Sequence, residues 1–456
     1  MTRLGVPGAR RLDPDPSALS RRRFLAGGAL AVVGLPSFGA RPGVAIAATS
    51  APASAYPAEV PTAWFELALE LVRTTPGFSP PVASRAFGYA GAALYEALLP
   101  GMPGRRSLAG RLNGLTEFPR RGGGAVHWPL VANGALAQIL RSLFPTAPDS
   151  GLEALDALER RFTRTTWATL PHGVCRHSIA RGAGVARHIF EWSRTDGGHL
   201  GFLRNFPPYT PPIGAGLWEP TPPAFLPALQ PYWGRNRPFV LRSGAACSEG
   251  PPPPYSEAAG SAFFAEASEC YRAASHLTGD EEAMVRFWAD DAGVTATPPG
   301  HSISIATQVA RALDLRLDQA AEVYAKVGIA LADAFISCWS TKYRYNLLRP
   351  VTYIRRVIDP AWTPLLVTPP FPEYTSGHSV QSAAAAQVLT DLLGPVSFTD
   401  RTHESRELAP RSFASFMDAA REAAVSRMYG GIHFRAAIDR GLDQGFCVGR
   451  RVRTLC

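Results

Sequence analysis

Apolar residues recur at spacings of three and four along most of the chain, the period of a helix with one buried face. The runs fall at 63–74, 84–99, 129–144, 152–168 and 174–193, and return at 256–274, 281–291, 302–313, 318–341, 379–393, 411–428 and 434–452. Alternating runs rich in β-branched residues are almost absent, so the pattern predicts an all-α protein built as a helical bundle. Residues 201–254 interrupt it, holding 14 of the 42 prolines. No helix interior accommodates that density, because proline lacks the amide donor and clashes with the preceding turn. Irregular packed chain or a domain connection is expected there, and a loop of that length is placed to wall a pocket. No internal repeat is visible.

At 456 residues and 46% hydrophobic, the chain can bury a large core. That apolar content excludes disorder, and aperiodic glycine with six cysteines excludes collagen-like and small disulfide scaffolds. The net charge of +9 needs dividing. Residues 1–47 hold seven arginines and two aspartates, leaving a diffuse +4 on the remainder. That excess lacks the stripe of charge that nucleic-acid binding calls for. The N-terminal segment Ser20-Arg21-Arg22-Arg23-Phe24-Leu25 precedes an apolar stretch ending at Leu35, then small residues. It resembles a twin-arginine export signal and is too short to span a bilayer. A periplasmic or extracellular protein with no stable membrane span is expected, the alternative being a disordered basic tail. The cysteines show no CxxC spacing, so a zinc site is not indicated, and their pairing is open. The expected division is 1–55 for signal and linker, 56–255 for an N-terminal helical region and 256–456 for a catalytic domain.

Candidate chemistry concentrates after residue 340. Only Lys326 and Lys342 are lysines among 46 basic residues, which suggests that the compact ammonium of Lys342 matters. Arg349 follows seven residues on and can share its helix face before Pro350 ends the helix. Two solvated basic residues at a helix C-terminus are the plain alternative. Ser376-Gly377-His378-Ser379 opens an alanine-rich helix and offers free amides, hydroxyls and a histidine around one point, an anion site by construction. Simple N-capping by Ser376 or Ser379 is its alternative. In Ser426-Arg427-Met428-Tyr429-Gly430-Gly431-Ile432-His433, the glycine pair is expected to break a helix, so that Arg427 and His433 converge from a corner. A buried histidine at a helix start is the alternative. Taken together, three cations, neutral donors and two histidines suit a compact tetrahedral oxyanion, phosphate or vanadate. A second Gly-His-Ser at 300–302 follows Asp290-Asp291, making His301 either a pocket wall or a helix-start residue. His172, His177, His188 and His199 show no ligand spacing.

Lys-x6-Arg-Pro, then Thr-Ser-Gly-His, then Ser-Arg-x5-His, separated by 24 and 47 residues, resembles the motif triplet of the acid phosphatase/vanadium-dependent haloperoxidase superfamily. The match spans about a fifth of the chain, and that superfamily is a compact helical bundle. The resemblance implies that Lys342, Arg349 and Arg427 hold the oxyanion oxygens together with Ser376 and the Gly377 amide. It makes His378 the acid–base residue and His433 the axial vanadium ligand or, in a phosphatase, the nucleophile. Phe371 falls where chloride-oxidising relatives carry phenylalanine, a poor guide to halide by itself. Thr375 replaces the commoner proline. Ala437 stands where the family places an aspartate four residues after the last histidine, and Asp439 and Asp443 are at other spacings. Without that carboxylate, phosphohistidine chemistry is disfavoured relative to vanadate ligation, for which a backbone carbonyl could orient His433. The expectation is a vanadate-dependent haloperoxidase acting on halide and hydrogen peroxide. The rival is an acid phosphatase hydrolysing phosphate monoesters at the same cage, and a binding protein without turnover is the residual reading. The halide, the organic acceptor and the oligomeric state are left open.

Overall fold

The structure, a computed structural model, describes residues 51–118 and 124–455. The export-like segment and Cys456 lie outside the described residues. Five helices precede the proline-rich stretch: α1 (Glu59–Thr74), α2 (Pro80–Leu98), α3 (Trp128–Leu143), α4 (Asp149–Trp167) and α5 (His172–Ser193). After it come α6 (Ala262–Ser275), α7 (Gly279–Phe287), α8 (Thr297–Ala312), α9 (Leu317–Tyr345), α10 (Pro350–Val357) and α11 (Gly377–Leu393). A two-stranded antiparallel sheet, β1 (Phe398–Asp400) with β2 (Arg411–Phe413), then leads to α12 (Phe416–Tyr429) and α13 (Arg435–Val452). The all-α class holds. The run expected as helix from 411 begins instead as β2, because Ser415 caps α12 and accepts from the Asp418 amide at 3.2 Å.

Helix α9 is the axis. Its 29 residues are buried almost throughout, and α2 runs along it. The site depends more on the contact of α13 with α11. Gly441, Gly445 and Gly449 recur every four residues on the facing side of α13, and a Cβ at Gly445 would lie 2.2 Å from the Val380 carbonyl oxygen. Only a ridge without side chains lets the two backbones approach so closely.

The proline-rich stretch is irregular, with short 3-10 turns at Gly201–Leu203 and Trp233–Arg235. Its backbone polar groups find partners on α9, as buried loop amides must. Asp333 accepts from the amides of Phe239, Val240 and Leu241 at 2.6, 2.8 and 3.0 Å. Trp339 and Tyr343 both donate to the Leu229 carbonyl. A disulfide between Cys247 and Cys447 ties the stretch to α13, while Cys175, Cys270 and Cys338 are buried thiols. The described residues hold together as one compact unit. Among the described residues no helix is long and apolar enough to cross a membrane.

Candidate functional site

Four helix ends place the motif residues. Lys342 sits in the last turn of α9. The chain does not continue as one helix to Arg349, as the seven-residue spacing suggested. Asn346 takes the left-handed conformation at φ +46° and ends α9, Arg349 becomes the N-cap of α10, and Pro350 opens that helix instead of closing the previous one. Proline's fixed φ suits a first helical position, where no amide donor is needed. Lys342 and Arg349 therefore reach the site from two helices.

Helix α11 begins at Gly377 with Ser376 as cap, its Oγ accepting from the Ser379 amide at 3.4 Å. Capping and anion site are compatible here, since the Gly377 amide has no carbonyl four residues back within the helix. The Ser376 amide donates to the Ala437 carbonyl at 2.9 Å, locking the loop to α13. Arg427 lies in the last turn of α12. Gly431 then turns the chain at φ +75°, where a Cβ would also meet the Trp362 ring, and His433 enters from the expected corner.

The cations are held from behind. Lys342 Nζ donates to the carbonyls of Pro372 and Glu373, each at 2.9 Å. Arg349 donates through Nε to Phe371 O and through Nη1 to Ile432 O, both at 2.8 Å, and its Nη1 stands 3.3 Å from His433 Nε2. Its Nη2 is buried without a partner. The Phe371 ring lies under both charges, 5.0 Å from Lys342 Nζ and 4.8 Å from the Arg349 guanidinium carbon. Arg427 donates to Ser426 Oγ and Val285 O. Gly377, His378, Arg427, His433 and Phe371 line a cavity of about 940 Å³. Lys342, Arg349 and Ser376 do not line it and are fully buried.

Burial depresses all three cations: Lys342 to about 7, Arg349 to about 10 and Arg427 to about 10. These are the shifts of buried positive charge short of counter-charge. With the orphaned Arg349 Nη2, they show that the cage fits an oxyanion. His433 Nδ1 lies 2.8 Å from Glu373 Oε1, which also accepts from the Phe434 amide at 2.8 Å. Burial raises the Glu373 carboxyl to about 8 against the pull of Lys342 and Arg349. Burial also holds His433 well below the ordinary imidazole value, with the Arg349 charge adding to it. With Nδ1–H donated to Glu373, His433 presents a lone pair at Nε2. His378 Nε2 lies 3.1 Å from the Trp288 carbonyl. A carbonyl only accepts, so Nε2 carries the proton and Nδ1 is free to take one. Burial and the Arg427 charge push His378 down to about 3 and keep it neutral.

Two expectations need correction. The carboxylate missing at Ala437 is supplied by Glu373, which enters from the other side, so no backbone carbonyl is needed to orient His433, and Ala437 does not separate phosphatase from peroxidase. Glu373 lies two residues before the second motif, and the vacant acidic position at 437 was the signal that a carboxylate had to come from elsewhere. His301 does not wall the cavity. Helix α8 starts at Thr297, which carries His301 a turn inside the bundle, buried between Asp290 at 2.8 Å and Asp400 at 2.7 Å and stacked on Trp288. Asp290 lines the cavity in its place.

The model of the VCPO second helical-bundle domain matches residues 322–455, which contain all three motifs. A search of the curated proteins finds no match. Among solved structures, a bacterial vanadium-dependent iodoperoxidase superposes with a TM-score of 0.80 at 40% identity, covering 88% of this chain and 97% of that one. The chain belongs to the vanadium-dependent haloperoxidase family. The haloperoxidase fold is seen again in holo and apo structures of a bacterial vanadium-dependent chloroperoxidase. Both have a TM-score of 0.63 at 17% identity; they cover 84% and 83% of this haloperoxidase and 93% and 94% of their own chains.

Proposed function

We propose that this vanadate-dependent haloperoxidase oxidises iodide with hydrogen peroxide, with Lys342, Arg349, Arg427, Ser376 and the Gly377 amide holding the oxygens of vanadate and His433 Nε2 ligating the metal. The observation that carries the site assignment is His433 itself. Its Nδ1 is engaged by Glu373, its ring lines the cavity, and its Nε2 stands 3.3 Å from Nη1 of Arg349, the guanidinium whose Nη2 is unpartnered. Vanadate, when bound, supplies a Lewis-acidic centre that stays at V(V) and activates peroxide toward halide. Around it, the three buried cations withdraw electron density from bound oxygens. His378 Nδ1, unprotonated in the neutral ring, takes a proton from an incoming peroxide and can return it to the leaving oxygen. Glu373 keeps the His433 ring in one tautomer and orientation.

Iodide is assigned because the iodoperoxidase is 40% identical over nearly its whole length. We read the enzyme as exported, in keeping with the arginine-led N-terminal segment and with the Cys247–Cys447 disulfide, a bond that persists in oxidising compartments. The test is a vanadate titration of phosphate-free full chain, following triiodide from iodide and peroxide, with bromide and chloride in parallel. Vanadate-dependent triiodide formation that phosphate suppresses is expected. Silence there, with vanadate inhibiting hydrolysis of a phosphate monoester, would replace the reading by the phosphatase. Export is checked by fractionating cells that carry Arg21→Lys with Arg22→Lys; retention in the cytoplasm is expected.

A further inference from the structure

The cavity is far larger than a halide and a peroxide require. At about 940 Å³ it falls in the range that encloses a drug-sized molecule. Its floor is the oxyanion site. Its walls are apolar and aromatic, with Phe206 and Leu226 from the proline-rich stretch, Phe78 from the α1–α2 turn, Val367 from the loop before α11, and Phe335 and Trp339 from α9. The stretch does wall a pocket, as its length suggested.

Two further observations point to an occupant. Large apolar side chains are left uncovered at the mouth: Val367 is 73% exposed, Phe206 46% and Leu226 44%. An apolar rim continuous with a deep pocket is the signature of a ligand entrance. In addition, the described lining residues include no methionine, cysteine, tyrosine or lysine, and Trp339 is their one indole. Thiols and thioethers are the side chains that an electrophilic halogen oxidises most readily, and their absence from the wall slows its consumption there.

We propose that this cavity is an acceptor site for a neutral, electron-rich aromatic molecule, so that the oxidised halogen passes to a bound carbon instead of leaving as free hypohalous acid. The inference rests on the haloperoxidase reading above. The phenylalanine faces and edges suit an arene, and on the lining Arg73 and Arg427 balance Asp290 and Asp291, which favours a neutral one. The chemistry balances in two steps. Halide, hydrogen peroxide and one proton give hypohalous acid and water, the halide losing two electrons as the O–O bond breaks. The ring carbon then forms a bond to halogen as the halogen–oxygen bond breaks, and the ring proton leaves with the hydroxide as a second water.

The experiment uses the full chain with 2-naphthol as probe. Calorimetric titration without vanadate or halide is expected to show saturable binding, weakened about tenfold or more in Leu226→Glu and in Val367→Asp, as loss of one buried aliphatic contact predicts. In the vanadate-loaded enzyme the same variants are expected to raise the KM for 2-naphthol iodination by a similar factor. Triiodide formation without acceptor should stay within about twofold, because neither residue belongs to the oxyanion site. Absence of binding, with iodination products and rates matching those of added hypoiodite, would overturn the proposal. So would a dimer in sedimentation that Val367→Asp dissolves, since a second copy would then cover the rim. Loss of triiodide formation in the unmodified enzyme would instead strike the haloperoxidase reading and leave the binding result standing.

Discussion

Two clusters of buried charge lie side by side in this molecule and solve the same problem in opposite ways. In one, His301 is clasped by Asp290 and Asp400, and His403 approaches the other oxygen of Asp290 at 3.1 Å. In the other, Lys342, Arg349 and Arg427 converge with Glu373, whose carboxyl is turned to His433, and Asp290 and Asp291 offset the charge of Arg427 only in part. Burial is nearly complete in both. Burial alone would lower His301, yet its two carboxylates outweigh it and raise the imidazole to about 10. The same pairing holds Asp290 and Asp400 below the usual carboxylate range. The cage cations shift the other way, each depressed by burial with too little to oppose it. A buried charge that is paired belongs to the architecture, and one left short of counter-charge marks where a ligand completes it. The two clusters also touch. Trp288 stacks on His301 and offers its carbonyl to His378, and Asp290 lines the same cavity as Arg427.

The comparison breaks most readily at the incomplete cluster. Arg349→Ala removes the cage guanidinium whose Nη2 is unpartnered and is expected to lower vanadate-dependent halide oxidation by about 10³-fold, with thermal unfolding little changed. A variant that retained vanadate affinity and turnover would remove the oxyanion cage from its assigned place. At the paired cluster the effect reverses: His301→Gln leaves two buried carboxylates short of a cation and should destabilise the fold by about 3 kcal/mol. Chemical denaturation at pH 6 reads this. The pH dependence sharpens it. A raised imidazole contributes stability that is complete below 6.5, the unfolded value, and is lost as pH rises toward about 10. The gap between wild type and His301→Gln should therefore narrow from pH 6.5 upward, and a constant gap would mean that His301 is neutral in the fold. The depressed aspartates act oppositely, their contribution failing as pH falls below 3.8.

Smaller changes follow where one contact in either cluster is edited. Glu373→Gln should weaken vanadate binding by about 10–100-fold, the range for residues that orient a metal ligand, with unfolding unaltered; calorimetry with orthovanadate measures it. His403→Gln removes one contact of several on Asp290 and should cost about 1 kcal/mol. A larger loss would place His403, not His301, at the centre of the paired cluster.

Most of the cage was readable because it is written in short motifs. Ser376, Gly377 and His378 are consecutive, so a helix N-terminus suffices to bring their donors together. The glycine pair before His433 announced its corner. Glu373 and the Asp290–His301–Asp400 cluster were not readable in the same way. His301 meets Asp400 across 99 positions and Glu373 meets His433 across 60, and no local periodicity encodes such a pairing. Lys342 and Arg349 illustrate the same limit in miniature: their spacing fits one helix, and a single left-handed Asn346 places them on two.

What the sequence determined by itself is what short-range physics decides. Apolar periodicity determined the helices, proline density the irregular stretch, and motif order the oxyanion donors. Only the tertiary structure decided which carboxylate serves His433, which buried charges are satisfied, and how deep a cavity opens over them. Those outcomes depend on distances between residues far apart in the chain, and desolvation then gives each of those distances its weight.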